Sequence, residues 1–168
     1  MGYAGGHQEG PTYEDLLDHS EAIEVAYDPA RISFDELLAE FWDGHAPAET
    51  MWSRQYRSAI FVSNPEERAA AERSLARAER RLGHVVHTRV EDQGTFWQAE
   101  DYHQKYRLRR EGDAWRELQA AYPDLDDLVR STAAARLNAW ASGLGDAKQR
   151  ARELPLVGLS GEAQRRFR

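Results

Sequence analysis

Ala59-Ile60-Phe61-Val62-Ser63-Asn64-Pro65-Glu66-Glu67 opens the stretch that decides the fold, which continues through Leu82-Gly83 to Val86, Thr88 and Val90. The four apolar residues Ala59 to Val62 predict a buried strand. Asn64 is a helix cap, Pro65 suits the first helical position and Glu66-Glu67 oppose the positive end of the helix dipole, so a helix is expected to about Leu82. Gly83 closes it. Val86, Thr88 and Val90 then alternate as a further strand. Working upstream, Ser33 and Glu36 form a capping box ahead of Phe34, Leu37, Leu38, Phe41 and Trp42 at helical spacing, with Gly44 and Pro47 ending that helix. Met51 and Trp52 fall in a polar loop. Ile23, Val25 and Tyr27 alternate before Asp28-Pro29, which predicts a half-buried strand ended by a turn. Gly2-Tyr3-Ala4-Gly5-Gly6, with three glycines in five residues, reads as a loop.

Downstream, Gln93-Gly94 turns the chain toward an aromatic-rich segment, Phe96 to Tyr106. From Asp113 to Ser142 the pattern is helical, with Trp115, Leu118, Leu125, Leu128, Val129, Leu137 and Trp140 apolar and Pro123 separating the first two helices. The mostly basic end, Gln164 to Arg168, reads as a solvated tail. Strand, helix, strand, helix, strand predicts an α/β class, an α+β two-layer sandwich with helices on a mixed sheet, followed by a helical extension. The division is placed at residues 1–110 and 111–168.

The chain has 168 residues and 41% hydrophobic content, enough to bury a core without metal or disulfide staples. Its net charge of -7 and pI near 5.4 argue against nucleic acid and anionic membrane surfaces as partners. Without cysteine there is neither a disulfide framework nor a thiolate metal site. His84 and His87 are the closest histidine pair, but they follow Gly83 and would face opposite sides of a strand, so no metal site is expected. Met1 to Gly10 is glycine-rich and polar rather than a signal peptide, and no apolar run approaches a membrane span. A cytoplasmic protein is expected. No phosphate-binding loop and no nucleophile elbow are present to support nucleotide binding or hydrolysis.

Several segments are denser in aromatic and polar groups than loops usually are: Gly2 to Gly6, Pro11-Thr12-Tyr13-Glu14-Asp15, Asp18-His19-Ser20-Glu21, Gln55-Tyr56-Arg57-Ser58 and Ala99-Glu100-Asp101-Tyr102-His103-Gln104-Lys105-Tyr106. Read in order as GYAGG, PTY, an H-x-E strand entry, a YDPARIS helix start, QYRSAIF and AEDYHQKY, they resemble the peptide methionine sulfoxide reductase family that acts on the S epimer. The resemblance runs from Gly2 to about Arg109. It implies a ferredoxin-like core and a reaction in which a cysteine thiolate attacks the sulfoxide sulfur while a carboxylic acid and tyrosine hydroxyls bind and protonate the oxygen. The acid must stay protonated near neutral pH, which burial favours.

Position by position, the resemblance assigns Tyr3 and Tyr56 as donors to the substrate oxygen and Asp15 as the acid, in place of the usual glutamate. An aspartate expected five residues before the second tyrosine falls on Met51, and Trp52 is assigned to substrate binding. The family's glycine-cysteine-phenylalanine-tryptophan motif, with the strand and helix around it, lies ahead of GYAGG and is missing from these 168 residues. We expect the native start to lie upstream, with a GTG valine codon read as Met1. The glycine-flanked resolving cysteine is also missing, so regeneration implies an external thiol, thioredoxin or a low-molecular-weight thiol, and no other cofactor. Three readings follow: a methionine (S)-sulfoxide reductase whose nucleophile lies outside these 168 residues, a cysteine-free module that binds oxidised methionine or a partner peptide, and an unstable fragment.

Overall fold

The computed structural model describes residues 1–49 and 53–168. The chain divides into two compact units, Met1–Glu100 and Asp101–Arg168, so the boundary falls ahead of residue 110.

In the first unit the decisive stretch folds as its residues dictate. β3 (Ala59–Val62) buries Ile60 and Val62, and α2 (Pro65–Leu82) starts where the Asn64 side chain accepts the Glu67 N–H at 2.8 Å. Gly83 ends α2 in the left-handed region, φ 75°, donating its N–H to the Glu79 carbonyl. The chain returns as β4 (Arg89–Asp92), parallel to β3 with Ala59 opposite Arg89. β4 begins later than the alternation at Val86 suggests. Val86 and Thr88 are buried, but the ladder with β3 starts only at Arg89, and the His87 N–H is taken by the Pro47 carbonyl.

α1 (Phe34–Asp43) carries the expected capping box, Ser33 Oγ accepting the Glu36 N–H and Glu36 accepting the Ser33 N–H. It packs on α2, and Leu38, Trp42, Ile60, Val62, Ala70, Ala71, Ala78 and Val86 form the core between helices and strands. The buried Trp42 indole N–H is satisfied by Ser74 Oγ at 3.0 Å.

The glycine-rich opening is not a loop. Gly2–Ala4 forms β1, the middle strand of an antiparallel sheet between β2 (Ser20–Ala22) and β5 (Trp97–Gln98). Glycine is needed there for close approach: a Cβ on Gly2 would stand 2.3 Å from the Trp97 carbonyl oxygen and 2.4 Å from the Phe96 ring. The strand expected at Ile23, Val25 and Tyr27 is displaced upstream to β2. The pairing ends with Ala22 opposite Gly2, and Ile23 and Val25 beyond it are exposed. Alternation marks a strand only where a neighbour supplies hydrogen bonds and a packed face.

The mixed α/β class is as expected, but among the described residues the strands form two sheets rather than one. Gln93 joins them, donating its N–H to the Val62 carbonyl and accepting the Gly5 N–H.

The second unit is helical: α3 (Tyr106–Arg109), α4 (Gly112–Ala121), α5 (Leu125–Arg130), α6 (Thr132–Ala141), α7 (Ala147–Glu153) and α8 (Gly161–Gln164). Asp124 caps α5 and Ser131 caps α6. Its core gathers Leu108, Trp115, Leu118, Leu128, Leu137 and Trp140 with Leu154, Leu159 and Phe167. The terminal residues are therefore not a solvated tail: Phe167 is buried, its ring 6.5 Å from that of Trp140. A single aromatic among arginines anchors the segment. Among the described residues no helix is long and apolar enough to cross a membrane.

Candidate functional site

The antiparallel sheet brings three of the singled-out segments together. Glu21 in β2 is half-buried and stands opposite Tyr3 of β1. Its Oε1 accepts the Gln55 Nε2 amide at 2.7 Å, and the same amide donates to the Tyr56 hydroxyl at 3.0 Å. Gln55 and Tyr56 belong to a 3-10 turn, Arg54–Tyr56, started by Ser53, whose hydroxyl accepts the Gln55 N–H. A polar turn placed just before β3 carries the half-buried Gln55 and the exposed Tyr56.

Tyr56 is half exposed, 50%, and its side chain is hydrogen-bonded to that of Tyr13, itself 42% exposed. Desolvation pushes the Tyr56 phenol above the ordinary tyrosine range, and the Glu21 charge and Tyr13 push it further in the same direction. The group stays a neutral hydrogen-bond donor through the physiological range.

Tyr3 is placed differently. It is 1% exposed, and its hydroxyl donates to Glu100 Oε2 at 2.6 Å. The other Glu100 oxygen accepts the Tyr13 backbone N–H at 2.9 Å. One carboxylate thus links the buried β1 tyrosine to the backbone of the segment that presents Tyr13.

Asp15 is exposed and engaged locally: its N–H donates to the Thr12 hydroxyl, and its Oδ1 accepts the Leu17 N–H at 3.2 Å. Such a short-range turn follows from an Asp side chain reaching backbone two residues on. Asp18 accepts the His7 and Gln8 N–H groups, and the His7 bond is the largest cause holding its carboxyl below the usual range. His19 beside it is buried, Nδ1 lying 3.4 Å from Asp18 Oδ1. Met51 and Trp52 lie outside the described residues. His84 and His87 precede β4, and among the described residues no group of three or more His, Cys, Asp or Glu could hold a metal ion.

Of the residues assigned from sequence, the structure joins Tyr56 to Glu21, Gln55 and Tyr13, and gives the Tyr3 hydroxyl to Glu100. Glu21, Tyr13, Gln55 and Glu100 had no assigned role, although each lies in a segment singled out by composition. The signal was present, but the pairing of β1 with β2 that selects among them is tertiary. Chemically, two exposed phenols beside a half-buried carboxyl can bind a polar oxygen by hydrogen bonds.

Residues 1–134 match the family described as peptide methionine sulfoxide reductase. The chain is 39% identical over 162 residues to a peptide methionine sulfoxide reductase of Drosophila melanogaster, covering 95% of this chain and 65% of that protein. It is 41% identical over 128 residues to peptide methionine sulfoxide reductase MsrA of Geobacter sulfurreducens, covering 68% and 78%. It is 40% identical over 119 residues to MsrA of Pectobacterium atrosepticum, covering 62% and 56%. The chain spans less than two thirds of the Drosophila and Pectobacterium proteins.

Proposed function

Because the chain belongs to the peptide methionine sulfoxide reductase family, we propose that the Tyr13, Glu21 and Tyr56 cluster is the oxygen-binding part of a site that reduces methionine (S)-sulfoxide, free or in peptides and proteins, as repair of oxidative damage. The sulfoxide oxygen accepts hydrogen bonds from the Tyr13 and Tyr56 phenols. A carboxylic acid protonates it as a thiolate attacks sulfur. An S–S bond forms as the S–O bond breaks and the protonated oxygen leaves as water; water then adds to the attacking sulfur, the S–S bond breaks, the sulfur of methionine takes its electron pair as a thioether, and the thiol is left as a sulfenic acid. A second thiol condenses with that sulfenic acid, releasing water, and a further thiol reduces the resulting disulfide. Thioredoxin or a low-molecular-weight thiol fills these last roles.

The observation that carries this reading is the hydrogen-bonded continuity from Glu21 through Gln55 to Tyr56, with Tyr13 against it on an exposed face. It supports Glu21 rather than Asp15 as the carboxyl beside the bound oxygen, which takes up a proton before it serves as the acid, because Glu21 is half-buried beside the phenols while Asp15 is exposed and tied into its own turn. It also supports Tyr13 as the partner of Tyr56, with Tyr3 acting through Glu100. The 168 residues contain no cysteine, so the attacking thiol has to come from outside them.

That same fact favours a second reading, in which the site binds oxidised methionine without turning it over. Both readings require binding. Titration calorimetry with N-acetyl-L-methionine (S)-sulfoxide is expected to show uptake that Tyr13→Phe and Tyr56→Phe each weaken roughly threefold to tenfold, the effect of one lost hydrogen bond. Glu21→Gln is expected to alter it and Asp15→Asn to leave it unchanged. Equal binding of the sulfoxide and its thioether by every variant would sink the assignment.

A further inference from the structure

Gln55 links Glu21 to Tyr56 only if strand β2 and the Arg54–Tyr56 turn are held in one register, and the bonds within the cluster, one part-buried and one exposed, leave that register to be set from elsewhere. The clamp lies one residue away. Ser20 is 0% exposed; its hydroxyl donates to the Arg54 carbonyl at 2.7 Å and accepts the Arg57 Nε–H at 2.7 Å. Arg54 and Arg57 bracket Gln55 and Tyr56, while Ser20 immediately precedes Glu21. Successive strand residues point to opposite sides of a sheet, so the hydroxyl at 20 is buried while the carboxylate at 21 stands half-exposed. Arg57 is itself fixed from beyond: its guanidinium makes two hydrogen bonds to Glu91 of β4 and lies 5.7 Å from the centre of the Phe61 ring.

We propose that Ser20 is a positioning residue for the oxygen-binding site, its buried hydroxyl fastening both ends of the turn that carries Gln55 and Tyr56 to the strand that carries Glu21. Only a group that donates and accepts at once fills this place, since one partner is a carbonyl and the other an N–H. A methyl at position 20 takes this partner from the Arg54 carbonyl and the Arg57 Nε–H in a part-buried place, and the turn then moves relative to β2 to find others. The inference rests on the reading of Tyr13, Glu21 and Tyr56 as the site, but its primary test does not require a ligand.

The test compares the chain with Ser20→Ala and Ser74→Ala. Ser74 is an apt control: it is also a buried serine in the first unit, donating to the Ala71 carbonyl at 2.7 Å and accepting from Trp42, but in the helical layer. The phenols are titrated by ultraviolet difference absorbance, with Tyr56→Phe identifying the Tyr56 contribution. Both serine variants are expected to lower the melting temperature. Only Ser20→Ala is expected to bring the raised Tyr56 titration back toward the ordinary tyrosine range, and Ser20→Thr, which keeps the hydroxyl, to leave it raised. Affinity for N-acetyl-L-methionine (S)-sulfoxide is expected to fall roughly threefold to tenfold in Ser20→Ala and less than twofold in Ser74→Ala. A folded Ser20→Ala with unchanged Tyr56 titration would overturn the proposal, as would an equal change in Ser74→Ala. Arg57→Lys, which removes the Nε donor to Ser20 together with the paired hydrogen bonds to Glu91, supplies a second test of the Tyr56 titration if Ser20→Ala does not fold. The expected titration changes in a chain that does not bind the sulfoxide would leave the clamp standing and refute the functional reading instead.

Discussion

Gly2→Ala separates two accounts of the N-terminal segment by the sign of its effect. If Gly2 to Gly6 were a loop, alanine would reduce the freedom of the unfolded chain and stabilise the protein by about 0.4–1 kcal/mol. In the central strand β1 the added Cβ stands 2.3 Å from the Trp97 carbonyl oxygen and 2.4 Å from the Phe96 ring. The first obstacle is backbone of the paired strand, so relief requires β1 and β5 to separate. Overpacking of this kind costs about 1–3 kcal/mol. For a unit of the size of Met1–Glu100, 1 kcal/mol displaces the melting temperature by about 4–8 °C, so a fall of roughly 5–20 °C is expected. Gly112 is the internal control: it opens α4, its φ is not positive and nothing lies within 4 Å of its Cβ position, so Gly112→Ala is expected to be neutral or stabilising. Calorimetry and urea titration followed by circular dichroism measure both. A Gly2→Ala protein as stable as the parent would refute the central placement of β1.

Three further outcomes are expected. Phe167→Ala removes a buried ring from the helical unit and should cost about 3–5 kcal/mol in urea unfolding, whereas a solvated tail would lose less than about 0.5 kcal/mol. Ser33→Ala removes the capping box of α1 and should cost about 0.5–2 kcal/mol by the same assay; no loss would mean that α1 is held by packing alone. Glu117 accepts the Ser160 hydroxyl and N–H, which hold its carboxyl below its usual value near 4.5. A group with a lowered folded pKa contributes stability that is complete above the unfolded value and is lost as pH falls through the folded one. Ser160→Ala should therefore destabilise the helical unit at neutral pH and flatten its loss of stability below about pH 4.5; an unchanged acid limb would contradict the coupling.

The helices were legible because their signals are local. Ser33 with Glu36, Asn64 with Pro65, and Gly83 each act within one or two turns of the residues they cap, and tertiary contacts left them in place. The antiparallel sheet was not, because Gly2, Ala22 and Gln98 lie far apart in the chain and only their pairing makes Gly2–Ala4 a strand and leaves Ile23 and Val25 outside one. Phe167 was hidden by its basic neighbours for a related reason, its burial depending on Trp140 of α6. The site divides in the same way. Every residue in it sits in a segment whose composition was unusual, yet a contact across the fold ties Tyr3 to Glu100 and another ties Tyr56 to Glu21 and Tyr13.

On the proposed reading this oxygen-binding cluster works with a thiol that is not among the 168 residues. The most direct measurement is the reduction of the two epimers of N-acetyl-methionine sulfoxide by the protein purified from its source, with dithiothreitol, before and after alkylation, on material whose intact mass and cysteine content are determined. Selective reduction of the S epimer, abolished by iodoacetamide, in a protein heavier than 19.2 kDa and containing cysteine is the predicted result. A cysteine-free protein of that mass with no turnover would contradict the reductase reading and leave sulfoxide binding as the function.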